Sequence, residues 1–573
     1  MKKSFPRNRT ALFLLLIILM SFALQILSFE FLDVKANPNE VVYNLNTGLN
    51  YTSIQEAIDA SETLDGHTIL VDPGTYYERI RVYKSLQVFG DDSASTIIDG
   101  GSVGSVVNIT ADNVYISRFT VRNSGSDILD CGIFLDYCTA SNISHNVVTN
   151  CRYGIYLFHS HGNTVTHNNV SGNYEDGIWL YYSGSNVLIE NKASNNRYNF
   201  GVFGGDFSDF NNTINTSNTV DEKPIQYLMG VEDSILAGQK SIGTLYLINC
   251  SNMTIKDLNL TRNGHGLFCW NLTNSRIENV TASQNNYGIY FQSSIENTIS
   301  HSYCPNNWVG ICLQNSEHNI VEDNITPDNE KGISLYEAEN NILAGNTIFN
   351  NLYGIRFFAS SFNEAYHNNL IENTEQVNLI NSYQNVWDDG LEGNFWSDHN
   401  SSDANKDGLR DSSYIIDTSN RDYCPLLGKY HNFKIYFQSS PFNITVISNS
   451  TISNFSFESK NSTIKFVAEC IGGTQGFCRV AVPHALMNPD EISVTIDNGQ
   501  TEILHQNYTL HDDDIIRCIY FVYQCSAHEI IIAPKSQSVI PLPLVIVVAL
   551  LAVFLTVLLT VFFWKRKLVD KDF

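Results

Sequence analysis

Nine glycines, each followed by an apolar–x–apolar triplet, recur along this chain at a nearly constant interval. They are Gly132, Gly154, Gly177, Gly201, Gly266, Gly288, Gly310, Gly332 and Gly354, in segments such as CGIFL, YGIYL and KGISL. Successive gaps are 22, 23, 24, 65, 22, 22, 22 and 22 residues, and 65 is close to three periods. A unit this short buries an apolar face only by stacking on its neighbours, so the period demands a solenoid. Counting from each glycine, position +1 (Ile133, Ile155, Ile178) and position +3 (Leu135, Leu157, Leu180) are apolar. Alternation of this kind is a strand with +1 and +3 inward and +2 outward. A second apolar pair lies about eleven residues upstream, as in NTVTHN and NTISHS. Asn150, Asn173, Asn285, Asn306 and Asn350 mark corners, where asparagine tolerates left-handed backbone and stacks into amide ladders. The expected fold class is all-β, a parallel β-helix; the LxxLxL run of a leucine-rich repeat is absent.

The organisation follows from this repeat. Residues 41–112 are expected to form an N-terminal cap and the first coils, opened by a short helix in YTSIQEAIDAS that Thr52 or Ser53 caps. Repeats fill residues 113–380, with an irregular coil and protruding loop at 206–236. By the glycine count, register resumes at Gly243. Residues 381–430 read as a C-terminal cap. Residues 433–533 alternate through six or more strands, the pattern of a small β-sandwich.

Both ends address the chain to a membrane. A basic start, an apolar run over residues 11–31 and Val34-Lys35-Ala36 make residues 1–36 a secretory signal peptide. Residues 539–564 carry no charge. At 1.5 Å per residue they reach ~39 Å, enough to cross a ~30 Å hydrocarbon core with tilt. Lys565, Arg566 and Lys567 then place residues 565–573 in the cytoplasm and the bulk of the chain outside the cell. Asn-x-Ser/Thr sequons, as at Asn142 and Asn443, suit an exterior location. So do twelve cysteines, among which Cys470 with Cys478 and Cys518 with Cys525 are the local disulfide candidates. The net charge of −25 leaves no basic stripe for phosphates and excludes a nucleic-acid partner.

The outward +2 positions carry Phe134, Tyr156, Trp179, Phe203, Phe268 and Tyr290. A file of exposed rings would stack on sugars of an extended polysaccharide; alternatively the rings stack on one another or lie beneath residues 206–236. Asp403, Asn405, Asp407, the carbonyl of Leu409 and Asp411 have the spacing of a loop that wraps one calcium ion, although Tyr414 stands where an EF-hand has its glutamate. No organic cofactor is expected. Gly264-His265-Gly266 looks like a hydrolase motif, but no paired aspartate lies a coil upstream, and no catalytic residue is assigned. Five methionines and scattered histidines give little support to copper handling; His145, His167 and His301 recur at a position shared with Glu190, Glu278 and Asp323, a polar ladder.

The opening segments (YTSIQEAIDAS, TILVDPGTYYERI, SLQVFGDD), the 22-residue coils, TVDEKPIQYL and the terminal WDDG, GNFWSD and DANKDGLRD together resemble the NosD-like family over residues 41–427. The resemblance implies a right-handed parallel β-helix of the pectin-lyase-like fold. It also implies roles described as periplasmic copper binding or as carbohydrate binding and sugar hydrolysis. The sandwich and membrane helix resemble the tails of archaeal cell-surface proteins. The expected function is a membrane-anchored extracellular protein in a non-catalytic carbohydrate-binding, adhesive or envelope-scaffold role. Its partners would be polysaccharide or envelope components. The alternatives are a polysaccharide lyase or glycoside hydrolase, and a copper-handling accessory protein.

Overall fold

Each coil supplies three short strands, because its apolar residues fall in three clusters separated by left-handed corners. In one coil these are Asn142–Ser144, Val147–Thr149 and Tyr153–Phe158. They pair in parallel with Thr164–Thr166, Asn169–Ser171 and Asp176–Tyr181 of the next coil. The computed structural model describes residues 41–238, 241–487, 492–497, 501–503, 508–512, 515–535 and 550–561. Within them the solenoid is a right-handed parallel β-helix. At its start Ser53 Oγ accepts the Glu56 N–H at 3.1 Å and caps the helix Ile54–Asp59, whose Ile54, Ala57 and Ile58 are buried.

The corner asparagines divide into two classes. Asn150, Asn306 and Asn350 take positive φ, between 53° and 56°. Asn173 and Asn285 are instead buried and belong to amide ladders. In one ladder Asn297, Asn319, Asn341 and Asn363 each donate Nδ2–H to Oδ1 of the next coil at 3.0–3.2 Å. Here the amides satisfy backbone groups that the corners leave unpaired.

The break at residues 206–236 differs from the expectation. The coil after Phe203 is completed by Thr213–Ile214 and Thr219–Val220, which still pair with the preceding coil. Asp221 (φ 46°) and Glu222 (φ 68°) then form a two-residue turn with both φ positive, and Thr219–Val220 pairs antiparallel with Lys223–Met229. That hairpin hands the second run of glycine strands to a different sheet. In the first segment the glycine strands form their own six-stranded sheet; in the second they extend the sheet of the middle strands into a 15-stranded one. The glycine count therefore fails at the junction. Ile178 pairs with Phe200 and Trp179 with Gly201, so Gly201 stands in an outward position and Asn199 takes the repeat-glycine place. Leu245 pairs with Leu267, so Thr244, not Gly243, is the equivalent of Gly266.

The chain divides into two compact units, one ending at Val386 but including Ile416–Asn420, the other made of Trp387–Ile415 and the chain from Arg421 onward. The expected cap at 381–430 thus belongs mostly to the second unit. That unit contains two five-stranded antiparallel sheets. Ile444, Val446, Val480 and Phe521 from one sheet, and Phe466, Ile530 and Ile532 from the other, share one buried cluster. The expected cysteine pairs do not form. Cys470 bonds Cys525, while Cys478 and Cys518 form no disulfide. The register Glu469↔Ala527 brings the ends of two strands together, leaving Cys470 and Cys525 with Cα atoms 5.1 Å apart. Cys518, seven residues before Cys525 along an extended strand, is out of reach.

The expected signal peptide lies outside the described residues. Of the expected span at 539–564, residues 550–561 are described and helical. Among the described residues no helix is long and apolar enough to cross a membrane.

Candidate functional site

The outer face of the glycine strands carries three rows of side chains. In the first segment the row before the glycines holds Cys131, Tyr153, Asp176 and Tyr198; the +2 row holds Phe134, Tyr156 and Trp179, then Gly201; the +4 row holds Asp136, Phe158, Tyr181 and Phe203. Tyr137, His159 and Tyr182 follow at the corner, all with positive φ.

Of the six aromatics expected to form an open file, most are covered. Phe134 and Tyr156 are each 7% exposed, and Phe268 and Tyr290 are fully buried. Trp179 and Phe203 are half-buried, and Phe203 belongs to the +4 row once the register is corrected. The +2 row lies between two other aromatic rows whose rings close over it. Tyr156 meets Tyr153 at 5.4 Å and Phe158 at 6.3 Å between centroids. In the second segment the short helix Phe207–Phe210 sets Phe210 5.3 Å from Phe268 and Phe207 5.9 Å from Trp270. Alternation gives a side chain's direction, not what lies above it.

The accessible rings are one step further along each strand. Phe158 and Tyr181 lie 5.6 Å apart with planes 4° from parallel, and Tyr181 and Phe203 lie 5.5 Å apart at 10°. At the corner, Tyr137 and His159 (4.9 Å, 4°) and His159 and Tyr182 (5.2 Å, 13°) form a second stack. Edge contacts join the two stacks, as between Tyr137 and Phe158 at 5.5 Å. Parallel rings at these separations are offset, so each covers its neighbour only in part and leaves part of a face open. The signal was present as LDYC, LFHS and LYYS after each triplet, but the repeat pattern ended at +3.

Two polar groups are enclosed by this layer. Asp176 is 9% exposed and its Oδ1 has no hydrogen-bond partner. Burial pushes its carboxyl up to about 8; Glu175 adds to the rise and Arg197 opposes it. His265, the centre of the hydrolase-like motif, is fully buried. Its Nδ1 lies 3.2 Å from the Tyr246 hydroxyl and its Nε2 has no partner. Burial holds it neutral, down to about 3. Rings of Trp179, Tyr246, Phe268, Tyr287 and Tyr290 surround it, and among the described residues no carboxylate pairs with it. The motif therefore does not assemble an acid pair here.

In the second segment the outer face turns polar. The row before the glycines continues as Val309, Lys331, Tyr353 and Glu375, and the +2 row as Cys312, Ser334, Arg356 and Asn378. Lys331 Nζ sits 3.5 Å from the Trp308 ring centroid and 3.0 Å from Glu330 Oε1.

The expected calcium ligands bind the loop's own donors. Asp403 accepts the backbone N–H of Asp407 at 3.1 Å and of Gly408 at 3.0 Å. Asn405 Nδ2–H donates to Asp407 at 2.7 Å, and Leu409 N–H to Asp407 at 2.8 Å. Asp411 accepts from Ser402 Oγ–H at 2.6 Å. Among the described residues no three or more His, Cys, Asp or Glu side chains converge as a metal-ligating group. Copper fits the solenoid poorly for the same reason. Cys131, Cys138, Cys151, Cys250, Cys269, Cys304 and Cys312 are buried thiols. Burial pushes them up, away from the thiolate that a soft metal needs. His145 stacks on His167 at 4.7 Å, and His167 Nε2 meets Glu190 at 2.9 Å, a polar ladder as expected.

A family model described as periplasmic copper-binding protein (NosD) matches residues 65–227 and 210–401. A cell surface glycoprotein of Methanothermus fervidus is 40% identical over 110 residues, 19% of this chain and 17% of that protein's length. Among solved structures, the A-module of a mannuronan C-5 epimerase from Azotobacter vinelandii is 16% identical, with a TM-score of 0.27 over 58% of this chain and 93% of that one. The catalytic domain of an alpha-1,3-glucanase is 13% identical, with a TM-score of 0.25 over 56% of this chain and 61% of that one.

Proposed function

Because this chain belongs to the NosD family, a premise that fixes its architecture and not its chemistry, we propose that it is a cell-surface β-helix protein that binds polysaccharide without cleaving it. The observation that carries this reading is the half-open double stack of Phe158, Tyr181 and Phe203 beside Tyr137, His159 and Tyr182. Six rings in two adjoining rows offer apolar faces at successive coils. Successive sugar rings of one extended chain, with apolar C–H faces of their own, fit such a strip. The enclosed Asp176 and His265 lie beneath the aromatic layer rather than at its surface, which supports binding over catalysis.

Location enters the same proposal. The matching stretch of a cell surface glycoprotein, the signal-like residues 1–36 and the uncharged residues 539–564 support a protein held at the membrane by its C-terminal helix. The two sheets of the second unit are read as a sandwich-like spacer beside that anchor. The oxygen-rich loop at Asp403–Asp411 is proposed to take one structural calcium ion, for which its ligands are of the right hard-oxygen class. The test is a glycan array probed with the full-length protein in detergent, followed by product analysis on every glycan retained. Retention without new reducing ends or unsaturated products is expected. Cleavage of a retained glycan would replace this reading with an enzyme.

A further inference from the structure

We infer that the polar end of the same outer face holds a second ligand site, built around Arg356, that takes an acidic sugar, a uronate residue of an extracellular polysaccharide. The chain carries 59 acidic against 34 basic side chains, so a half-buried cation without an acidic partner is out of keeping with its surroundings. The guanidinium of Arg356 lies 5.5 Å from the Tyr353 ring centroid. No carboxylate pairs with it among the described residues. Two acids of the neighbouring coils are engaged elsewhere: Glu330 binds Lys331 at 3.0 Å, and Glu375 Oε2 accepts from Asn378 Nδ2–H at 2.8 Å. Lys331, buried on the preceding coil against Trp308 and paired with Glu330, has its ammonium held below the usual lysine range by burial first, with Arg356 adding to the fall. A guanidinium beside a ring still has N–H edges to offer a planar, two-oxygen acceptor, which a carboxylate supplies.

The neighbours suit a sugar carrying that carboxylate. Ser334 and Asn378 flank Arg356 in the +2 row; Ser334 is buried and Asn378 gives an Nδ2–H to Glu375, so the Asn378 carbonyl oxygen is the group a ring hydroxyl would meet. In the +4 row Tyr336 and Phe358 stack at 4.8 Å and 3°, a second aromatic wall two residues along the strand. The inference rests on reading this sheet face as glycan-binding, but it uses none of the residues of the first segment.

The test compares binding of trigalacturonate with that of the neutral trisaccharide of galactose, by calorimetry on the full-length protein in detergent. The parent is expected to bind the acidic sugar about tenfold or more tightly, as charge-assisted hydrogen bonds predict, with affinity falling as salt rises. In Arg356→Gln that preference should vanish, and in Arg356→Lys it should survive in part; melting curves matching the parent's would show both variants folded. Equal binding of the two sugars by the parent would overturn the inference while leaving glycan binding intact. Binding of neither, together with an empty glycan array, would remove both. Undiminished preference in Arg356→Gln would place the acid elsewhere, and preference for a sulfated galactan over the uronate would overturn the carboxylate assignment.

Discussion

The indole of Trp179 fills the space that any side chain at position 201 would need. A Cβ on Gly201 would overlap Cζ3 and Cε3 of the ring, and one on Gly264 would crowd the same Cζ3. The ring thus sits between two glycines where the first segment meets the second, 5.8 Å from His265. Gly201→Ala is expected to lower stability by about 1–3 kcal/mol, the cost of overpacking a filled site. Chemical denaturation measures it, and an unchanged midpoint would mean that the ring has room to move.

The amide ladders predict a larger loss. Asn319 Oδ1 accepts both the backbone N–H and the Nδ2–H of Asn297 at 3.0 Å, and its own Nδ2–H donates to the Ser294 carbonyl at 2.9 Å. Asn319→Ala would orphan these buried groups together. A loss of about 2–4 kcal/mol is expected from the desolvation of unpaired donors and acceptors. Asn350→Ala, at an exposed corner on a different edge of the coil, should cost only about 1 kcal/mol, from its left-handed φ.

Asp176 makes stability depend on pH. Its carboxyl keeps its proton in the folded state up to about 8, while in the unfolded chain it ionises near 3.8. Between those values the folded state holds one proton more. Stability therefore falls as pH rises through this window, by at most about 1.4 kcal/mol per unit. His265, held down to about 3, contributes the opposite slope between that value and 6.5. Asp176→Asn removes the first effect alone, so the stability of the variant relative to the parent should climb steadily from pH 5 to pH 8. Urea denaturation at several pH values checks it; a constant difference would contradict the buried, protonated acid.

Calcium should stabilise the second unit. If Asp403 and its neighbours exchange their loop donors for a cation, 1 mM calcium should raise the melting temperature above that in chelator. An ion at a hundred times its dissociation constant adds about 2.7 kcal/mol. Asp403→Ala should abolish the difference. Equal melting of the parent with calcium and with chelator would remove the proposal.

Much of this was legible because repetition amplifies weak signals. Ile133, Ile155 and Ile178 point inward in successive coils, and so do Leu135, Leu157 and Leu180, whatever any single strand prefers. What failed was non-local. Two left-handed residues, Asp221 and Glu222, redirect the chain into a different sheet, and a count of glycines alone leaves Gly201, in the coil before that hairpin, two positions out of register and Gly243, after it, one position out. The period gives Phe268 and Tyr290 an outward direction, but Phe210 and neighbouring rings cover them. Sequence spacing favours Cys478 as the partner of Cys470, whereas strand register, which joins it to Cys525, is a property of the whole sheet. The half-open stack falls outside the repeated triplet, because its rings sit at +4 and at the corner that follows.

The aromatic stack as a polysaccharide platform is tested most directly by affinity electrophoresis on the best-retained array glycan, comparing the parent with Phe158→Ala and Tyr181→Ala singly and together. Loss of stacking on one ring should weaken binding by about 1–3 kcal/mol, fivefold or more, and the double variant should migrate as in a glycan-free gel. Retention of the double variant equal to the parent's, with an unchanged melting curve, would contradict the account.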